Sequence, residues 1–274
     1  MPFPLIYTFS DFAAFLLHKV FAYRKDVILK NLKFALPELS DKQHAELLRP
    51  IYRNFSDIVL ESFKSSFISP ETIFNRYKFV SSPEFDSEEN SKNGIVVFAA
   101  HCANWEWATM TLQHQTQFQV IGLIKPLKNK YINNFIAKNR SENGTMLVDI
   151  YGPKDALYKQ YDQPSSVVYI ADQNPSNREK ALKVKFFGQE TLALHGAANY
   201  ARKFPEKPAW FYKIERKDRG RYAVTPIKFA DANEPNLSEQ ELTQRYFNIL
   251  EEQIKETPSD WLWTHKRWKA QISY

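Results

Sequence analysis

Apolar residues recur at two different periods along this chain, and the period changes near residue 77. Before that point the spacing is helical. "PFPLIYTFSDFAAFLLHKVFAY" is apolar and aromatic, interrupted by Asp11, His18 and Lys19. "DVILKNLKFAL" and "LSDKQHAELLRPIYRNFSDIVLESFKSS" repeat apolar residues every three or four positions, as a helix with one buried face requires. Ser40 or Asp41 is the expected N-cap of the second of these, and Pro50 is expected to break or kink it.

Past residue 77, short apolar runs alternate with helical windows. "GIVVFAA", "FQVIGLIK", "TMLVDI", "SVVYIA" and "KVKFF" read as strands. "WEWATMTLQHQ", "KYINNFIAKNRSENG" (stopped by Gly144), "PKDALYKQY" and "HGAANYARKF" read as the helices between them. "PAWFYKIERK" and "RYAVTPIKF" form a hairpin around Asp218, Arg219 and Gly220, and a long helix follows over roughly 238–257. This alternation predicts an α/β fold, a mixed central sheet flanked by helices. One domain over 1–274 is expected, with residues 1–70 as a helical, membrane-facing cap.

Composition narrows the partners. The net charge is +6 and aromatic residues make up 15%. A basic, aromatic chain suits an anionic partner with an apolar part, such as a lipid surface; nucleic acid fits the charge, but no nucleic-acid-binding motif is present. The single cysteine, Cys102, excludes an internal disulfide and any CxxC metal knuckle. No cleavable signal peptide is apparent. With its charged interruptions, the first stretch reads as an amphipathic helix that either lies on a membrane or packs on the domain. "AYRKDV" supplies cations beside it, where acidic headgroups would sit.

One stretch carries candidate chemistry. In "NGIVVFAAHCANWEW" a buried strand ends at His101, Asn104 is placed to cap the next helix, and Glu106 falls in its first turn. Five positions apart on one helix, His101 and Glu106 would diverge by about 140°. Across a strand-to-helix turn they are able to meet. A carboxylate in a first helical turn is favoured as an anion, and an anion beside an imidazole fixes its tautomer for general-base work. A buried histidine bonded to a helix cap satisfies the same spacing. No GxSxG, HExxH, GxGxxG or Walker loop is present, and no spacing gathers His101, Glu106, Asp172 and His195 round a metal.

"AAHCANWEW" resembles the H-x4-[D/E] block of glycerolipid-type acyltransferases, in the form found in the late acyltransferases of bacterial lipid A biosynthesis. Five further stretches resemble that family's blocks, in its order: "YRKDVILKNLKFALPELS", "GLIKPLKNKYINNFIAKNRSENG", "IADQNP", "VKFFGQETLALHGAANYA" and "PSDWLWTHKRWK". The resemblance implies the glycerolipid-acyltransferase fold. It implies transfer of a fatty acyl group from a thioester, on acyl carrier protein or coenzyme A, to a hydroxyl of a lipid A precursor at the cytoplasmic face of the bacterial inner membrane. His101 is then the base, Glu106 its orienting partner and Arg140 the cation that meets the oxyanion; no metal or cofactor is implied.

Other residues keep two readings each. Asn104 is a cap, a site donor or both. Asp172 and Gln173 hold the acceptor or support the His101 loop, or else form a solvated turn. Lys125 is a phosphate or carrier contact. Lys266 and Arg267 grip phosphates at the interface or belong to a packed tail. Cys102 and Lys125 depart from the family's usual aromatic residue and arginine. An aminolipid or phosphoglycolipid acceptor, or a non-catalytic lipid-binding protein of the same fold, are the alternatives.

Overall fold

The structure, a computed structural model, describes residues 2–126, 129–141, 143–159 and 161–274, with backbone alone at residues 132, 135, 136 and 139. Two of the expected helices therefore contain positions, 142 and 160, outside the described residues. The helical first part comprises α1 (Phe3–Phe15), continued by a wider turn over Leu16–Val20, then α2 (Lys25–Ala35), α3 (Asp41–Ser65) and the short α4 (Pro70–Phe74). Ser40 caps α3 through a reciprocal box with Gln43, satisfying two amides that the first turn would leave orphaned. The expected interruption at Pro50 does not occur: α3 runs through it for 25 residues.

The remainder alternates strand and helix as the pattern predicts, with three short elements besides, at 77–79, 88–93 and 189–193. β1 (Tyr77–Phe79) and α5 (Glu88–Asn93) lead into β2 (Ile95–Ala99), α6 (Trp105–Gln115), β3 (Gln119–Ile124), α7 (Lys130–Ser141), β4 (Met146–Asp149), α8 (Asp155–Tyr158) and β5 (Ser165–Ile170). A hairpin of β6 (Leu182–Phe186) and β7 (Gln189–Ala193) follows, then α9 (Gly196–Lys203), the long pair β8 (Ala209–Asp218) and β9 (Arg221–Ala230), and α10 (Glu239–Glu256).

Seven strands form one mixed sheet in the order β1-β9-β8-β2-β5-β3-β4. β8, β2, β5, β3 and β4 run parallel, and β9 returns antiparallel to β8. β2 is buried along its whole length, as "IVVFA" requires of a strand covered on both faces. One apolar cluster joins α2, α3, α9, α10 and the closing residues; a second joins α6 to the β1–β9–β8 side. Parallel strands all end on one side, so the loops after β2 and β5 open together there.

α1 is turned against simple amphipathic expectation. Ile6, Ser10 and Ala14 face the protein, while Phe9, Phe12 and Phe15 point outward, Phe12 at 61% exposure. The inward docking is polar. Ser10 Oγ donates to Asp57 Oδ1 at 2.6 Å, and Arg219, in the β8–β9 turn, pairs with both Asp11 and Asp57. Asp57 is fully buried, and Arg216 Nη1, 3.3 Å from Oδ2, is its second cationic partner. Val59, Phe63 and Phe67, on and just past α3, are exposed as well. No single helix among the described residues is long and apolar enough to cross a membrane; α1 with its continuation reaches that composition only together with α2, across an 85° bend.

Candidate active site

The turn from β2 to α6 is tied down at every residue. Ala103 adopts a positive φ of 47°, which a residue with a side chain takes only under outside constraint. That constraint comes from the C-terminal segment. Asp260 O accepts from Ala103 N at 2.9 Å, and His101 O accepts from Leu262 N at 3.1 Å. Asn104 Oδ1 accepts from Trp107 N at 2.9 Å, the expected cap, and its Nδ2 donates to Glu61 Oε2 at 2.7 Å. Asn104 is fully buried with both ends of its amide engaged. It is a cap and does not face a substrate.

Glu61 is the polar centre beneath this turn. It also accepts from Tyr222 Oη at 2.7 Å and from Tyr7 Oη of α1 at 2.9 Å. Burial pushes its carboxyl above the usual range, against the opposing charge of Arg216.

The partner of the His101 ring is Asp172. Nδ1 lies 2.7 Å from Asp172 Oδ1, and the His101 backbone N donates to Asp172 Oδ2 at 3.1 Å. Trp261 Nε1 donates to that same oxygen at 2.8 Å. Asp172 is only 2% exposed. Burial works to raise its carboxyl, but the attraction of His101 and the hydrogen bonds from His101 and Trp261 outweigh it and hold the group below the usual value. An ionised acceptor at Nδ1 fixes the hydrogen there and leaves Nε2 as the basic nitrogen. The Gln173 amide nitrogen lies 3.3 Å from Nε2. Asn174 N donates to His265 Nε2 at 3.1 Å, and burial pushes the His265 imidazole down to about 4.

Glu106 stands elsewhere. The pairing of His101 with Glu106 expected from their spacing is not the one observed; among the described residues no hydrogen bond joins them. Trp105 intervenes, its ring edge-on to His101 at 5.2 Å and its Nε1 donating to Glu106 Oε1 at 3.1 Å. Glu106 instead receives the Arg140 fork: Nη2 donates to Oε1 and Oε2 at 2.8 Å each, and Nε to Oε2 at 3.1 Å. Both side chains are about a fifth exposed, which leaves the pair desolvated but reachable.

Arg140 and Trp105 also form part of the wall of a cavity with about 580 Å3 of empty space, some of it open to solvent. Its lining is otherwise mainly aliphatic, from Leu112 and Ala108 of α6 and from Gly122, Leu123, Ile124, Leu147, Val168 and Ile170 of the strands. Trp105 thus separates an apolar chamber from the His101 imidazole.

The remaining expected residues lie apart. Lys125 is exposed at the end of β3, with its ammonium 6.0 Å from the Tyr151 ring. Lys266 is exposed beside Tyr274. Arg267 does not face an interface: it is fully buried over Phe186 and Phe247, and Nη1 donates to Thr191 Oγ1. Burial pushes its guanidinium down to about 10. Aromatic neighbours in "WLWTHKRWK" gave an equal argument for packing, and packing is what holds it. The residues that sequence reasoning left without a role here are Trp261, His265 and Glu61. Only the first two carried any signal, by lying in the block that closes the chain.

The family model described as bacterial lipid A biosynthesis acyltransferase matches residues 1–270. The chain is 23% identical over 261 residues to the lipid A biosynthesis acyltransferase of Haemophilus influenzae, covering 92% of this chain and 79% of that protein. It is 20% identical over 274 residues to the lipid A biosynthesis lauroyltransferase of Escherichia coli, covering 98% and 87% respectively.

Proposed function

The chain belongs to the bacterial lipid A biosynthesis acyltransferases, and from that premise we propose that it moves a fatty acyl group from acyl carrier protein to a hydroxyl of a lipid A precursor at the inner membrane. His101 is the general base and Asp172, by its hydrogen bond to Nδ1, the group that orients it. His101 Nε2 takes the proton of the acceptor hydroxyl as the oxygen attacks the thioester carbonyl carbon. The carbonyl becomes an oxyanion, which Arg140 meets, held in its fork by Glu106. Collapse breaks the carbon–sulfur bond, and the imidazolium returns its proton to the departing thiolate. The acyl chain lies in the apolar cavity behind Trp105.

The observation that carries this reading is the imidazole held at Nδ1 by a buried carboxylate, one aromatic ring away from an apolar chamber whose wall includes an arginine. Attachment to the membrane falls to the outward phenylalanines of α1 and the exposed end of α3, with Lys19, Arg24 and Lys25 nearby in sequence for anionic headgroups.

The decisive test is lipid mass spectrometry on a host lacking this gene, complemented with wild type or His101→Ala. Loss of one acyl mass from lipid A, restored by wild type alone, supports the reaction, the acceptor and the base together. An acyl mass missing from another lipid class would refute the acceptor. Full complementation by His101→Ala would refute the chemistry.

A further inference from the structure

The reaction as proposed leaves a basic stretch of the chain without a task. Between residues 125 and 159 there are seven Lys and Arg against three Asp and Glu, a net of +4 within a chain of net +6. Arg140 is engaged by Glu106. Lys125 and Lys154 gather where β3 and β4 end. Ile150 N donates to Ile124 O at 2.9 Å, which lays the turn after β4 alongside Lys125. Lys154 Nζ folds back over the same turn, donating to Asp149 O and, at 3.0 Å, to Gly152 O.

An aromatic side chain stands beside these cations in full view of solvent. Tyr151, its ring 6.0 Å from the Lys125 ammonium, is 68% exposed. Asp149 is turned to its own backbone, with Oδ1 accepting from Tyr151 N, and Asp155 is the acidic group left exposed nearby. Exposed tyrosines flanked by lysines are the composition of a protein-binding surface for an acidic partner, because tyrosine supplies contact area and lysine steers the approach.

Position gives the partner. β4 is the outer edge of the sheet, and Leu123, Ile124 and Leu147 beneath this surface line the apolar cavity. α1 docks its polar face against the β8–β9 turn, at the β8 side of the sheet, and holds its phenylalanines outward. Four strand spacings separate β8 from β4, roughly 19 Å. A lipid acceptor held on the α1 side and a macromolecule docked at the β4 edge would reach His101 from opposite directions without collision.

We infer that the surface formed by Lys125, Tyr151 and Lys154 is the docking site for an acidic protein carrier of the acyl thioester. The inference rests on the transfer reaction proposed above and deepens it. Lipid phosphate is the other anion such lysines would take, but the exposed phenylalanines that suit a bilayer are on the far side of the site.

The test compares wild type with the double variant Lys125→Glu, Lys154→Glu, and with Tyr151→Ala, in steady-state acyl transfer. Acyl carrier protein and, separately, acyl-coenzyme A serve as donor. The double variant should raise KM for the acyl carrier protein at least tenfold and flatten its salt dependence. Its kcat with acyl-coenzyme A and its KM for the lipid acceptor should stay within twofold, which also shows that it is folded. Tyr151→Ala should raise the carrier KM without changing its salt dependence. An unchanged carrier KM in both variants overturns the inference, and so does a rise confined to the lipid acceptor. If the wild type transfers from coenzyme A but not from the carrier, the donor assigned above is wrong and this surface has lost its partner with it.

Discussion

His101 and Asp172 stand level with each other on neighbouring parallel strands. Ala99 of β2 pairs with Ile170 of β5, and each of the two residues lies two positions beyond its strand's paired end. The contact at 2.7 Å therefore follows from register, with no long loop needed to bring it about.

This arrangement separates two carboxylates that the sequence alone does not rank. Asp172→Asn keeps the size of the side chain but removes the anion that fixes the imidazole. We expect a kcat loss of about 10²- to 10⁴-fold with the fold intact. Glu106→Gln should cost less, roughly 10-fold to 100-fold, because it loosens Arg140 and leaves the base untouched. Single-turnover transfer rates for both variants decide the matter; equal losses, or the reverse order, would return the orienting role to Glu106.

The cavity makes a prediction about chain length. A Cβ at Gly122 would meet Leu147 Cδ2 at 3.7 Å and Thr145 Cγ2 at 3.9 Å, ordinary contacts with two cavity-lining residues. Gly122→Leu should therefore fold and fill part of the chamber. The variant should prefer donors shorter by several carbons, seen as a shift in kcat/KM across a series of acyl chain lengths. An unchanged preference would place the acyl chain elsewhere.

His265 sets an acid limit on stability. Its folded-state value of about 4 lies below the ordinary 6.5, so the unfolded chain takes the proton first. The stabilisation from its buried neutral form is complete above pH 6.5 and is lost as pH falls toward 4, up to about 3 kcal/mol. Urea unfolding between pH 7 and 4 should show this slope in wild type and a shallower one in His265→Gln, which offers Asn174 N an acceptor that does not titrate in this range. Parallel curves would mean that another group controls acid sensitivity.

The outward phenylalanines allow a direct test of membrane attachment. Phe12→Asp and Phe63→Asp change exposed positions on two different helices, so stability should shift by less than about 0.5 kcal/mol. Sedimentation with anionic vesicles should nonetheless fall at least tenfold for each. If only Phe12→Asp released the protein, the lipid-facing surface would be limited to α1.

Most elements were legible because their period is long and clear: α3, α10, the β8–β9 hairpin and the buried strand β2 all stand where the pattern sets them. β1 has three residues and β7 is polar at its start, too little for periodicity to register. In the site, His101 and the Asn104 cap could be read from the end of a strand and the start of a helix. The pairing with Asp172 could not, because it depends on β5 lying next to β2, a matter of strand order that no local pattern carries. The facing of α1 was hidden for a similar reason: apolar residues cover most of its surface, and a buried hydrogen bond from Ser10 with an exposed ion pair from Asp11 chooses the inward side.

Glu61 has a consequence for how this enzyme can be handled. One buried carboxylate accepts from Tyr7 on the first helix and from Asn104 under the turn that carries His101. The chain has no seam between an anchor and a catalytic body. A truncation made for solubility at residue 20 would take the Tyr7 hydroxyl from Glu61 and the Asp11 and Ser10 contacts from Arg219 and Asp57, opening buried charge to water directly beneath the site. Activity lost in such a fragment would mix damage to the turn that carries His101 with loss of the outward phenylalanines, so the intact chain in detergent or nanodiscs is the right material for kinetics.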